Sequence, residues 1–400
     1  MKICIFIRSM PAHGKGGIED HALMLARGIA EKGHGITIIT TKHPKKTYEK
    51  IAGIKIYYLK KTLPGKYSAE WWTESIKKFE ELYKKEKFDI VHSQSSGAYY
   101  FLKKKLNKKY NIPVVVSLHG TTLDEIKTQI NTNLSWNPFS SIKAILLCFR
   151  YLYNYPLLIL NFIRRANAII ATSNEQREII KKIYFVDEKK IYTIFNAIDT
   201  KLFVPKSSKR IRKRYNIKKE KMILSVAKLE KEKGVQNIIK ALPKILSKIN
   251  AKLMIVGDGS YKKELEKLVN RLGLKNSVIF TGFVPLSELP YFFNECDVFV
   301  NSTIRQNGYD LTILEAMACQ KPVVVSNIGS VPTAVSKKDG ILVPPGSVDS
   351  LVKGVIKILS NPRLASKLSK NARKKILKDF TLEKMVSRTI DVYKSLIEGS

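Results

Sequence analysis

Short apolar runs and helical repeats alternate along the whole 400-residue chain, and this alternation limits the fold more than any other feature of the sequence. Ile3–Ile7, Ile36–Thr40, Ile90–His92, Val114–Leu118 and Ala168–Ala171 read as strands buried on both faces. Between the first two, Ile18, Ala22, Leu25 and Ile29 recur at helical spacing, so Ile18–Gly33 is a helix with one apolar face. A β–α–β order of this kind implies a doubly wound parallel sheet. The pattern breaks at a basic stretch, Lys206–Lys221, taken as a linker, and then restarts. Met222–Val226, Leu253–Val256, Val278–Phe280, Val298–Val300 and Pro322–Val325 read as strands, separated by helices at Val235–Ser247, Lys262–Leu272 and Leu311–Ala318. The expected class is therefore α/β, with two successive Rossmann-like domains over residues 1–204 and 205–380. A final helix at Thr381–Ile397, within 381–400, is expected to pack back towards the first domain.

Composition supports two cores, with 44% hydrophobic and 26% charged residues. Cys4, Cys148, Cys296 and Cys319 have no paired spacing, so neither a disulfide framework nor a zinc site is suggested, and a reducing cytoplasm fits best. No segment reaches the roughly 18–20 apolar residues that span a bilayer, and the opening apolar run reads as a first strand. The net charge of +37 admits an acidic partner, membrane or nucleic acid, or plain solvated lysine faces. Its lysines are dispersed, whereas a nucleic-acid face would cluster them with aromatic residues, so no nucleic acid is expected.

Two loops carry chemistry. The first, Ser9–Gly17, ends in Gly16 and Gly17 just before a helix, where free N–H groups favour anions. A nicotinamide site would add an acidic residue about 20 positions on, but the second strand ends in Thr40-Thr41-Lys42. The second follows Met222–Val226 and holds Lys228 and Lys233 at the ligand-binding edge of a sheet, placed to neutralise a diphosphate or simply to face solvent. Further on, Glu315 is a lone carboxylate in an apolar helix, costly to bury unless ribose hydroxyls, or a lysine such as Lys321, take it up.

These pieces together resemble the retaining glycosyltransferase family 4, of the two-domain GT-B type. The resemblance rests on GGIEDH at Gly16–His21, SLHGT at Ser117–Thr121, ANAIIATS at Ala166–Ser173, FNAIDTKLF at Phe195–Phe203, SVAKLEKEKG at Ser225–Gly234, IVGDGS at Ile255–Ser260, TGFVP at Thr281–Pro285 and LEAMACQKPVVVS ending at Ser326, all in the family's order. It implies transfer of a hexose-type sugar from a UDP- or GDP-linked donor to a lipid-linked, glycolipid or oligosaccharide acceptor, with retention. No separate cofactor is implied. The family's basic pair falls on Lys228 and Lys233, with Lys for Arg losing the bidentate fork. Its ribose-binding Glu falls on Glu315, and its histidine beside the donor sugar on His119. Gly16, Gly17, Val284, Gly308, Leu311 and Thr312 complete the implied donor site, which would face the acceptor across a cleft.

Three positions depart from the family. Asn307 stands where the family has its first Glu, Asp310 where it has Gly, and Thr333 where it often has Glu. Asp310 suits a helix N-cap and would repel a diphosphate seated there. A weak or inactive relative acting as a surface-binding protein, and an epimerase or sugar-phosphate synthase of the same fold, therefore stay open. The chain has no Asp-x-Asp motif, which fits metal-independent departure of the leaving group. Finally, Ser141–Arg165 is rich in Leu, Ile, Tyr and Phe, is interrupted by Pro156 and is edged by Lys143, Arg150, Arg164 and Arg165. It is either an interfacial segment lying on an anionic membrane or a pair of core helices.

Overall fold

A computed structural model describes residues 1–13, 17–133, 145–146, 149, 161–306 and 309–399. By internal contacts the chain divides into two compact units. The first comprises Met1–Thr122, Leu147–Asn196 and Leu382–Ser400, and the second Leu123–Leu146 and Ala197–Thr381.

The first unit is built on β1 (Lys2–Phe6), β2 (Gly35–Thr40), β3 (Tyr48–Ile51), β4 (Ile54–Tyr58), β5 (Ile90–Gln94), β6 (Val114–Leu118), β7 (Ala168–Ala171) and β8 (Ile191–Thr193). They form one sheet in the order β3-β4-β2-β1-β5-β6-β7-β8, parallel except for the β3–β4 hairpin. The central strands are apolar runs because helices cover both faces; β1, β5 and β6 are buried almost throughout. Helix Gly17–Glu31 packs on the C-terminal helix Leu382–Glu398, and a Cβ added at Gly28 would meet Val386 at 2.4 Å. Tyr393 of that last helix is fully buried and hydrogen-bonds His92 of β5 at 2.6 Å.

The second unit holds β9 (Lys221–Val226), β10 (Ala251–Val256), β11 (Val278–Gly282), β12 (Val298–Asn301), β13 (Val323–Ser326) and β14 (Ile341–Val343). All pair in parallel, in the order β11-β10-β9-β12-β13-β14. The order reverses between β9 and β12, and a doubly wound sheet binds ligands at the carboxyl ends of the strands flanking such a reversal.

The stretch expected as a linker, Lys206–Lys221, contains a short helix, Arg210–Arg214. Its first N–H groups donate to the buried Glu295, from Ile211 at 3.0 Å and Arg212 at 2.7 Å, with the Ser208 hydroxyl at 2.7 Å. A basic run becomes a docked helix because one carboxylate caps it. Most of the apolar stretch 141–165 lies outside the described residues, as do Gly16, Asn307 and Gly308. Among the described residues, no helix is long and apolar enough to cross a membrane.

Candidate functional site

In the second unit the β9 loop is moulded by its neighbours. Leu229 N–H donates to the Asp258 carbonyl and Tyr261 N–H to the Leu229 carbonyl, both at 2.9 Å. The Ser260 hydroxyl donates to Glu230 at 2.6 Å. Gly259 permits this approach, since a Cβ there would lie 2.4 Å from the Leu229 oxygen. On the other side the loop after β12 grips the same segment. The Ile304 N–H donates to the Glu232 carbonyl at 2.9 Å, the Thr303 hydroxyl to the same oxygen at 3.2 Å, and the Ser302 hydroxyl to the Gly234 carbonyl at 2.7 Å. Gly234 has φ +71°, and a Cβ there would come within 1.9 Å of the Ser302 oxygen.

This scaffold separates the two lysines expected at the site. Lys228 is 65% exposed and lies 3.4 Å from Glu230. Lys233 is only 10% exposed and forms an ion pair and hydrogen bond with Asp310. The second Asp310 oxygen accepts from Asn301 Nδ2 at 2.8 Å. Burial pushes the Asp310 carboxyl up, but the Lys233 ammonium, both hydrogen bonds and the Arg305 charge outweigh it and hold it below its ordinary value. Asp310 occupies the N-cap position of helix Leu311–Ala318, yet its carboxylate makes no capping bond there. The capping role expected from its residue type is therefore corrected: the carboxylate turns to Lys233, and only the Asp310 carbonyl is used by the helix, accepting from Ile313 N–H at 3.0 Å.

Glu315 lies on the same helix and is buried, 7% exposed. Lys321, considered as its partner, instead donates to the Asn294 carbonyl at 2.6 Å. Leu311 and Thr312 open this helix, and Val284 is buried in the loop after β11. The Gln306 N–H donates to the Thr128 hydroxyl at 3.0 Å, which ties down the loop leading to residue 307.

In the first unit, Gly17 is the first residue of the helix that follows the Gly-rich loop. His13 pins that loop: its Nε2 lies 3.0 Å from the Thr41 carbonyl and its Nδ1 accepts from Met10 N–H at 2.9 Å. His119, just past β6, is buried and donates through Nε2 to Gln94 Oε1 at 2.6 Å, since an amide oxygen can only accept. Its ring meets that of His21 edge-on at 4.9 Å. His92 sits beneath, with Nε2 2.8 Å from the Ser117 hydroxyl. All three imidazoles are held neutral. Burial pushes His21 down to about 4. Burial and the His21 charge bring His92 to about 3. Burial, then the two neighbouring histidines and Arg8, place His119 well below the ordinary range. His21, His92 and Gln94 were not singled out in the sequence; a histidine and a glutamine inside the apolar β5 run IVHSQ were the available signal.

Lys233, Asp310, Glu315, Leu311 and Thr312 thus gather at the β9/β12 reversal of the second unit, while in the first His119 directly follows β6 and Gly17 opens a helix. Two parallel-sheet units of this kind define the GT-B glycosyltransferase fold. The structure aligns over 100% of both chains with sucrose-phosphate synthase from Thermosynechococcus elongatus, at TM-score 0.81 and 19% identity. Two family models match, Glycosyltransferase Family 4 over residues 15–202 and Glycosyl transferases group 1 over residues 207–375, and the chain belongs to glycosyltransferase family 4. It is 26% identical to N-acetyl-alpha-D-glucosaminyl L-malate synthase of Bacillus anthracis, over 98% of this chain and 97% of that one. It is also 26% identical to an Escherichia coli enzyme, the UDP-Gal:alpha-D-GlcNAc-diphosphoundecaprenol alpha-1,3-galactosyltransferase, over 79% of this chain and 78% of that one.

Proposed function

We propose that this glycosyltransferase moves a hexose-type sugar from a UDP- or GDP-linked donor to a lipid-linked or glycolipid acceptor, with retention and without a metal ion. The observation that carries the reading is the pairing of Lys233 with the start of helix Leu311–Ala318, the helix that also carries the buried Glu315. An ammonium and a helix N-terminus at a strand-order reversal suit a diphosphate. A buried carboxylate farther along suits vicinal ribose hydroxyls. In this reading Lys233, with Lys228 reaching in from solvent, stabilises the nucleoside diphosphate as charge builds on it during departure, which is electrostatic preorganisation. The acceptor hydroxyl then attacks the face the leaving group vacates, its proton passing to the departing diphosphate oxygen as the C–O bond to the donor breaks. His119, held neutral with its proton on Nε2, sits beside the donor sugar as a hydrogen-bonding group rather than as an acid.

The Escherichia coli relative supports the choice of a nucleotide sugar and a diphosphate-lipid acceptor. A lipid-linked acceptor would place the reaction at a membrane surface, and the +37 charge favours anionic lipid. Incubation with UDP-galactose, UDP-glucose or GDP-mannose, a short-chain polyprenyl-diphosphate sugar and excess chelator tests the reading directly. Expected is a glycosylated lipid whose new anomeric carbon has the donor's configuration. An inverted product, or turnover only after divalent metal is restored, contradicts it. Transfer to L-malate in place of the lipid would move the acceptor class towards that of the Bacillus relative.

A further inference from the structure

We propose that Asp310 is a resident counter-anion of the diphosphate site: its carboxylate pairs with Lys233 and competes with an incoming diphosphate, so that this one residue weakens the grip on nucleotide. The inference rests on the reading of Lys233 as a diphosphate ligand, and it adds a specific determinant of affinity to that reading.

The geometry points to competition rather than to capping. Asp310 has the residue type and backbone position of a helix N-cap but makes no side-chain capping bond. Both its oxygens are committed elsewhere, one to Lys233 and the other to Asn301 at 2.8 Å. The Asn301 bond aims the carboxylate, because Asn301 ends β12 and its own Oδ1 accepts from Thr303 N–H at 3.3 Å. The lysine is equally fixed. It closes a short 3₁₀ turn, Lys231–Lys233, whose Glu232 carbonyl is gripped by the Thr303 hydroxyl and the Ile304 N–H, and nine-tenths of its side chain is out of solvent. Such an ammonium has few directions in which to donate, and the carboxylate takes one of them. A diphosphate arriving at this point meets a partly neutralised lysine and a like charge beside it. It gains the lysine only by loosening the ion pair. A reaction that ends with a nucleoside diphosphate in the same place turns over only when that product leaves, and a resident carboxylate favours its leaving.

The test is titration calorimetry of the full chain with UDP and with GDP, comparing the parent with Asp310→Asn, Asp310→Gly and Lys233→Ala. Asn keeps the shape and can still accept from Lys233, and Gly removes the side chain altogether, so the two variants cover a failure of either one to fold. Expected is about a tenfold gain in affinity for the nucleoside diphosphate in both Asp310 variants. The gain should shrink as ionic strength rises. Uridine or guanosine, which bring no phosphate, should bind all three Asp310 forms alike. Equal or weaker nucleoside-diphosphate binding by the Asp310 variants, with binding lost in Lys233→Ala, overturns the proposal and leaves the donor site standing; Asp310 would then only orient the lysine. Undiminished binding by Lys233→Ala removes the donor-site reading itself.

Discussion

At the scale of single residues, two lysines of one loop have unequal standing. Lys228 is largely in water and its contact with Glu230 is an exposed one, worth under about 1 kcal/mol. Lys233 is enclosed and its partner Asp310 is largely, though not fully, out of solvent with it. Lys228→Ala should therefore leave thermal stability within about 0.5 kcal/mol of the parent while lowering kcat/KM by its share of charge at the leaving group. Lys233→Ala should cost stability as well, about 3 kcal/mol, because it strands the Asp310 carboxylate. Thermal unfolding of the two variants side by side checks the difference; equal losses would mean that the ion pair contributes nothing. Glu315 gives a sharper readout. If its carboxylate accepts from ribose hydroxyls, Glu315→Gln removes the charge from those bonds and should weaken nucleotide binding about tenfold, with the fold intact. A ribose-free probe such as pyrophosphate should bind the variant as it binds the parent. Equal losses for pyrophosphate and UDP would place Glu315 elsewhere than at the ribose.

At the scale of elements, the site is a set of loops pressed together by glycine. Gly234 combines a left-handed φ of +71° with a backbone oxygen 1.9 Å from where a Cβ would stand. Gly234→Ala cannot relax by moving a flexible side chain, since the obstacle is the Ser302 carbonyl. A loss of roughly 3 kcal/mol is expected, with nucleotide binding lost alongside it because Lys233 precedes that residue. A variant with parental melting temperature would show that the loop has another conformation available. The strands that frame this site were legible as apolar runs because parallel strands buried on both faces are mostly apolar: β9, β10 and β12 fall within a residue or two of where the sequence places them. The β3–β4 hairpin was not legible, since Tyr48-Glu-Lys-Ile51 is half exposed at a sheet edge and has no run to detect. β8 and β14 span three residues each, too short to carry a period. The same limit applies to the site. Lys233 and Glu315 stand out by charge against their local background, but the Asp310 contact joins residues far apart in sequence, and residue type alone argued for a cap.

At the scale of the whole molecule, acid sensitivity should be unevenly distributed. All six histidines, His13, His21, His34, His43, His92 and His119, lie in the first unit. Three of them, His21, His92 and His119, are buried. Their folded-state pKa values are depressed, His21 to about 4 and His92 to about 3, against an unfolded value of about 6.5. Protons therefore bind the unfolded chain first. The stability contributed by neutral imidazoles is complete above about pH 6.5 and is lost as pH falls from there through the folded-state values. At about 1.4 kcal/mol for each unit of pKa difference, His21 alone withdraws on the order of 3 kcal/mol by pH 4. In the second unit the comparable group is Asp310, whose depressed carboxyl gives up its contribution only below about pH 4. Between pH 6.5 and 4.5, then, amide exchange should quicken in β5, β6 and helix Gly17–Glu31 while β9, β10 and β12 keep their protection. His21→Asn removes one of the three buried imidazoles and should reduce the response of the first unit by that residue's share, leaving the shares of His92 and His119. A parallel loss of protection in both units would place the acid-sensitive groups somewhere other than the buried histidines, and a His21→Asn chain as acid-labile as its parent would remove His21 from among them.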